Sequence, residues 1–387
     1  MTIHAPDLMA EAERVSGLAQ FGNDQFIKGL ERLIDSINNE AALTQVGRDA
    51  QRDRIIGLLV NRLRIEQAFR AHPDIADERI ESPLVIVGLP RTGSTLTHRL
   101  LASDADHTAM RWWEGRHPAM LPGEQRDHPV ARRALGKAEV EAVVAASPEA
   151  LNIHPWDFDG ADEEVLLVEH SFHSSVPEAY MHLPSYSAWV EAQDHVPVYR
   201  DLLACLKYLQ WQDSSRQGKR WVLKSPHHLG YLDAMLEVFP DAKIIQTHRD
   251  PMQTVPSFCS MCVSLSAPLT HGLDANAIGA HWARKLARNL KRSTAVASRV
   301  PERFIDLDFR DMVADPLREM QRLYAFIDKP FSDEARAQMQ AHRDSDEHQT
   351  NAHQYSLADY GLSERQIHEL FRDYVAQKIL RPQRPCA

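Results

Sequence analysis

Two stretches of this sequence have the residue types to hold a phosphorylated ligand. The first is Gly88-Leu89-Pro90-Arg91-Thr92-Gly93-Ser94-Thr95, which follows the apolar run 83–87 and precedes a helical pattern. A strand, a glycine-bearing turn and a helix start offer free backbone N–H groups to an anion, and the helix dipole adds to the attraction. Gly88 and Gly93 have the spacing of the two glycines in a Walker A loop, but Ser94 stands where the Walker lysine belongs. That lysine reaches the β- and γ-phosphates of a nucleoside triphosphate, so its absence argues against a P-loop kinase or NTPase. Arg91 supplies a cation inside the loop instead, with a planar fork suited to phosphate or sulfate oxygens. Taken alone, the loop is also compatible with a tight turn that holds nothing.

The second stretch is Arg249 with Ser257 eight residues later. Arg249 follows an apolar strand pattern, and Ser257 lies on the helix after it. Both fall at the carboxyl end of the sheet, where ligands collect in open α/β folds. A second Arg/Ser anion site beside the first suggests a ligand with phosphates at two ends. By itself Arg249 also reads as a surface or structural arginine.

The elements that must position these residues alternate. Residues from about 10 to 70 read as helices, from the spacing of Phe26, Leu30, Leu33, Ile34 and Ile37 and of Ile55 to Ile65. A break follows at Ala71–Asp74. Strands are expected at 83–88, 220–224, 242–247 and 303–307. Helices are expected at 95–102, 130–146, 198–212, 228–239, 252–263, 274–298, 316–327 and 363–379, the last with Ser363 as N-cap. Strands alternating with helices imply an α/β fold with a parallel sheet flanked by helices. The expected organisation is an N-terminal helical segment over 1–80 and an α/β domain over 81–387, packed as one unit. Residues 104–194 read as irregular except for the helix at 130–146.

Together these motifs resemble the sulfotransferase family that uses 3′-phosphoadenosine 5′-phosphosulfate (PAPS). Pro90-Arg91-Thr92-Gly93-Ser94-Thr95 is similar to its 5′-phosphosulfate loop, with Arg at the second position as in tyrosylprotein and many bacterial members. Arg249 and Ser257 resemble its 3′-phosphate site, and Phe239–Ile245 its approach to that site. Phe304–Pro316 resembles its later strand–helix unit. The resemblance covers about residues 83–330 and implies a P-loop-like fold. It also implies PAPS as donor, no metal, and transfer to a hydroxyl of a small-molecule or carbohydrate acceptor. The donor-binding residues would be Arg91, Thr92, Gly93, Ser94, Thr95, Arg249 and Ser257.

The resemblance extends to catalysis. Lys224-Ser225-Pro226 is similar to the segment that carries a catalytic lysine, and Arg91 would stabilise the leaving oxygen. Glu114, 23 residues after Arg91, lies where several relatives place a glutamate base. Trp112 and Trp113 beside it could desolvate it and raise its pKa. His227 is the rival base, in a Lys-x-x-His order one residue longer than the Lys-x-His of cytosolic members; its intrinsic pKa suits the role better. The tail 351–357 resembles a segment that returns to the nucleotide. Gln354 replaces a common lysine there, which leaves that contact open. A nucleotide-binding regulator that kept the loop and lost catalysis is the non-enzymatic alternative.

Composition agrees with an expected cytoplasmic enzyme. With 43% hydrophobic and 25% charged residues a packed core is expected, and the formal charge of −10 with no Lys/Arg run argues against nucleic acid. No apolar stretch long enough to span a bilayer is present, and no membrane partner is expected. Four cysteines fit a reducing compartment. Cys259 and Cys262 have metal-ligand spacing without a second pair, and read as buried thiols. His154, His170, His173 and His182 with Asp157, Asp159, Asp162, Glu163 and Glu164 read as a polar lid, not a metal site.

Overall fold

A computed structural model describes residues 2–146, 156–345 and 355–380. His154, the tail residues 351–354 and Cys386 lie outside them.

Three helices open the chain: α1 (Ala5–Ser16), α2 (Gln25–Glu40) and α3 (Gln45–Ala71). The Thr44 hydroxyl caps α3 by accepting from the Gly47 amide at 2.9 Å. The apolar stripe Phe26, Leu30, Leu33, Ile34 and Ile37 of α2 is buried. It shares a core with Phe172, Met181, Tyr186 and Val190, so the packing crosses residue 80.

Then follow β1 (Leu84–Gly88), α4 (Ser94–Ala102), β2 (His107–Thr108), α5 (Trp112–Arg116) and α6 (Val130–Ala146). Four helices come next: α7 (Val165–Val168), α8 (Val176–Tyr180), α9 (Pro184–Glu191) and α10 (Val196–Gln212). The chain continues through β3 (Arg220–Lys224), α11 (Leu232–Val238), β4 (Lys243–His248), α12 (Pro251–Ser266) and α13 (Ala275–Arg299). It ends with β5 (Phe304–Asp308), α14 (Phe309–Ala314), α15 (Pro316–Phe326), α16 (Asp333–Ser345) and α17 (Glu364–Tyr374).

The sheet has five parallel strands in the order β2-β3-β1-β4-β5. All five residues of β1 are buried. Val85 and Val87 pack into one layer with Leu223 and Ile244; Leu84 and Ile86 pack into the other with Val222 and Ile245. That two-sided burial is why the strand reads as a continuous apolar run instead of an alternation. The chain leaves β1 toward β2 and β3 on one side, and later crosses to β4 and β5 on the other. The carboxyl end of β1 is therefore the switch point of the sheet, where a crevice opens.

The expected strands sit within a residue of the observed ones. Differences have local causes. The helix expected from His228 starts as a 3-10 turn, Pro226–Gly230, because the Ser225 hydroxyl accepts from the His227 amide at 3.2 Å ahead of α11. The last helix passes into a π turn over Val375–Ile379. Strand β2 is two residues long and carries no periodicity to read. Cys259 and Cys262 are buried free thiols, as expected.

Candidate active site

The loop after β1 is held open by its own backbone. A Cβ on Gly88 would come within 2.4 Å of the Thr247 hydroxyl and 2.6 Å of its carbonyl, so only glycine lets β1 and β4 approach there. Gly93 has φ +84, and a Cβ there would lie 3.0 Å from the Phe309 ring. Arg91 takes φ +68, a left-handed conformation that costs a non-glycine residue about 1 kcal/mol or more. Thr92 turns inward: its hydroxyl donates to the Leu89 carbonyl at 2.7 Å and pairs with the Thr247 hydroxyl at 2.6 Å. That side chain clamps the turn, which leaves to the backbone any contact Thr92 makes with an anion.

Helix α4 starts directly from this turn. Its N-cap is Gly93, with no side-chain cap. The first-turn amides, including those of Ser94 and Thr95, have no intrahelical acceptor and carry the positive end of the dipole. A phosphate or sulfate is the group such a start accepts.

Arg249 stands against the loop. One of its terminal N–H groups donates to the Arg91 carbonyl at 3.0 Å, its Nε donates to Gln253 Oε1 at 3.0 Å, and its guanidinium lies 4.0 Å from the centre of the Phe309 ring. Burial, and then the Arg91 charge, lower its pKa from the usual arginine value, though an arginine keeps its proton. Two guanidinium groups that repel each other beside an uncapped helix start fit a ligand with more than one anionic group. Ser257 is half-buried on α12, the helix that starts two residues after Arg249.

Lys224, at the end of β3, is 1% exposed. Its ammonium donates to Thr95 Oγ1 on α4 at 3.4 Å and to Glu163 Oε1 at 2.6 Å. The strand end thus delivers a cation to the loop's own helix, with a carboxylate beside it. Glu164, the next residue, points elsewhere. It accepts from the Lys224 amide at 2.8 Å and pairs with His228 Nε2, while His228 Nδ1 meets the Tyr199 hydroxyl at 2.9 Å. Burial alone would raise the Glu164 carboxyl, but the His228 contact outweighs it and the net shift is downward. This buried relay anchors β3 from behind.

Glu163, Pro90 of the loop and His227 line one cavity of about 630 Å³. His227 is buried, its Nδ1 lies 3.1 Å from the Ser175 hydroxyl, and its Nε2 has no hydrogen-bond partner. Burial drives its pKa well below 6.5, so the ring is neutral at pH 7. Among the described residues, no group of three or more His, Cys, Asp or Glu is arranged to hold a metal ion.

Glu114 is placed differently from the sequence expectation. Both of its oxygens accept from an Arg216 terminal nitrogen, at 2.6 and 2.7 Å, and Oε2 also accepts from the Arg111 amide at 2.8 Å. It lines a separate hollow with Asp213 and Arg132, not the cavity that meets the loop. Among the carboxylates that line the cavity with Pro90, Glu163 is the one bonded to the Lys224 ammonium; the sequence reading had grouped it with a polar lid.

Comparison with known proteins agrees with this geometry. Over 261 residues the chain is 26% identical to the omega-hydroxy-beta-dihydromenaquinone-9 sulfotransferase Stf3 of Mycobacterium bovis and of Mycobacterium tuberculosis. The match covers 64% of this chain and 63% of those relatives, so the chain spans less than two-thirds of their length. It is similar throughout to the crystal structure of sulfotransferase STF1 from M. tuberculosis H37Rv, with TM-score 0.85 and 32% identity over 96% of this chain and 99% of that one. Sulfotransferase STF9 from Mycobacterium avium gives TM-score 0.88 and 26% identity over 98% of each chain. Residues 83–333 match the model of the Sulfotransferase family. The loop, the strand-end lysine and the paired arginines all lie inside that span, and the chain belongs to the Sulfotransferase family.

Proposed function

We propose that this chain moves a sulfuryl group from PAPS to the hydroxyl of a small-molecule acceptor. The observation that carries the reading is the apposition of Arg249 and Arg91 at the uncapped start of α4, with Lys224 reaching the same helix. The α4 amides, Arg91 and Ser94 bind the 5′-phosphosulfate end. Arg249 and Ser257 bind the 3′-phosphate. Lys224 and Arg91 stabilise charge on the leaving oxygen as its bond to sulfur breaks. Glu163 takes the acceptor's proton as the new O–S bond forms, and the nucleotide leaves as PAP. The Stf3 relatives, named for a hydroxylated menaquinone, support an alcohol acceptor.

His227 is the second reading for the base, because its neutral ring lines the same cavity. Glu163 is preferred because it also contacts Lys224 at the start of the loop's helix.

Ligand binding and turnover test the proposal. PAP is expected to raise the melting temperature far more than ATP with magnesium, and labelled PAPS to transfer label to alcohols. Equal or greater protection by ATP with magnesium would point to an NTPase. PAP protection without transfer to any hydroxyl would point to a regulator.

A further inference from the structure

We propose that the acceptor is an alcohol on an apolar body of about twenty heavy atoms, and that helix α3 sets how long that body can be. The inference rests on the sulfuryl-transfer reading and extends it to the acceptor's chemical class. The cavity beside Glu163 occupies about 630 Å³. At about 30 Å³ for a group the size of water, it holds on the order of twenty heavy atoms. Its walls are largely apolar, with Trp112, Phe258, Met261, Trp282 and Leu286 from three helices facing one space.

The charged side chains on those walls are already paired. Lys285 is held by Glu178 at 2.6 Å and by the Ser187 hydroxyl at 2.8 Å. Arg54 is held by Glu169 at 2.5 Å, and Arg116 by Glu139 at 3.0 Å. A sugar would bury more hydroxyls than the few open polar atoms of these walls, such as His227 Nε2 and Asn289 Oδ1, can satisfy, which is costly. An alcohol with one hydroxyl at Glu163 and a hydrocarbon body satisfies both ends. The geometry thus disfavours the carbohydrate half of the sequence expectation.

The opening lies between α3 and α6. Ala50 on α3 and Ala142 on α6 are both exposed, and both line the cavity. Ala50, Gln51 and Arg54 come from a helix outside the family-matched span 83–333. The segment that reads as a helical lead-in therefore supplies the outer wall of the acceptor site.

The experiment uses the full chain with PAP or PAPS and primary alcohols of six to eighteen carbons, with glucose as the polar comparison. Binding is read first, as a shift in melting temperature in the presence of PAP, which needs no turnover. Affinity and kcat/KM are expected to rise about fourfold per methylene until the cavity fills. Ala50→Trp is expected to lower kcat/KM at least tenfold for the longest alcohols, while the shortest alcohol and PAP binding stay unchanged. Ala142→Trp tests the other lip in the same way. Turnover of glucose at the rate of a long alcohol would overturn the inference. So would equal loss for short and long alcohols in both variants. Long-alcohol binding with no transfer would leave the inference standing and sink the transfer reading.

Discussion

Lowering the pH from 7.5 to 5 should remove much of this protein's stability, and histidines are the reason. Burial holds His98, His107, His170 and His195 at pKa values of about 4, against 6.5 for a free side chain. The rings lie in a packed interior: His98 meets the Val222 carbonyl at 3.2 Å, and His170 lies 3.3 Å from Asn61 Nδ2. A depressed folded-state pKa means that the unfolded chain binds more protons between pH 6.5 and 4. Stability is therefore complete above 6.5 and falls as the pH drops toward 4. At pH 5 each ring costs about 2 kcal/mol, from about 1.4 kcal/mol per unit between the unfolded pKa and the ambient pH. Four rings together give about 8 kcal/mol, comparable with the whole stability of an ordinary domain. Paired carboxylates such as Glu178, held at about 2, add their loss only below their unfolded value of 4.5. The assay is urea unfolding at half-unit steps from pH 7.5 to 4.5. A slope of at least four protons is expected around pH 5, since His227 is held down as well, and His98→Leu should remove about one. A flat profile down to pH 5, with a fall only below 4.5, would refute the reasoning.

Two substitutions separate the carboxylates. Glu163→Gln should lower kcat by roughly a hundredfold or more while PAP binding survives, since a positioned base contributes on that scale; the check is single-turnover transfer beside a PAP titration, and a wild-type rate would move the role to His227. Glu114→Ala should cost about 3–5 kcal/mol of stability by leaving Arg216 buried with one acidic neighbour, Asp213 at 3.2 Å. Turnover per folded molecule should hardly change, as urea midpoints and rates at low temperature will tell.

The centre of the sheet was readable because β1, β3 and β4 are short and buried on both faces, and the loop because glycines and an arginine sit where β1 ends. Lys224 was readable for a similar reason: a strand end fixes where its side chain goes. The carboxylates were not. Asp162, Glu163 and Glu164 are adjacent in sequence, yet Glu163 turns to the Lys224 ammonium and Glu164 to the Lys224 amide and His228. One residue of backbone rotation separates a cavity group from a buried anchor, and no spacing rule encodes it. The partner of Glu114, Arg216, lies 102 residues away and follows no local pattern, so their pairing could not be read. Helix α3 was readable as a helix, but its part in the cavity depends on where residues 258–289 pack.

The contact between Arg249 and the Arg91 carbonyl would make the two ends of the proposed donor site one object. The arginine assigned to the 3′-phosphate is also a strut under the left-handed turn that serves the 5′ end, and Phe309 is wedged between it and Gly93. A donor without a 3′-phosphate would forfeit more than one ion pair, because the repulsion between Arg249 and Arg91 would be offset less. On the proposed donor site, selectivity for a doubly anchored nucleotide would arise from mechanical coupling within a single turn, not from two independent locks.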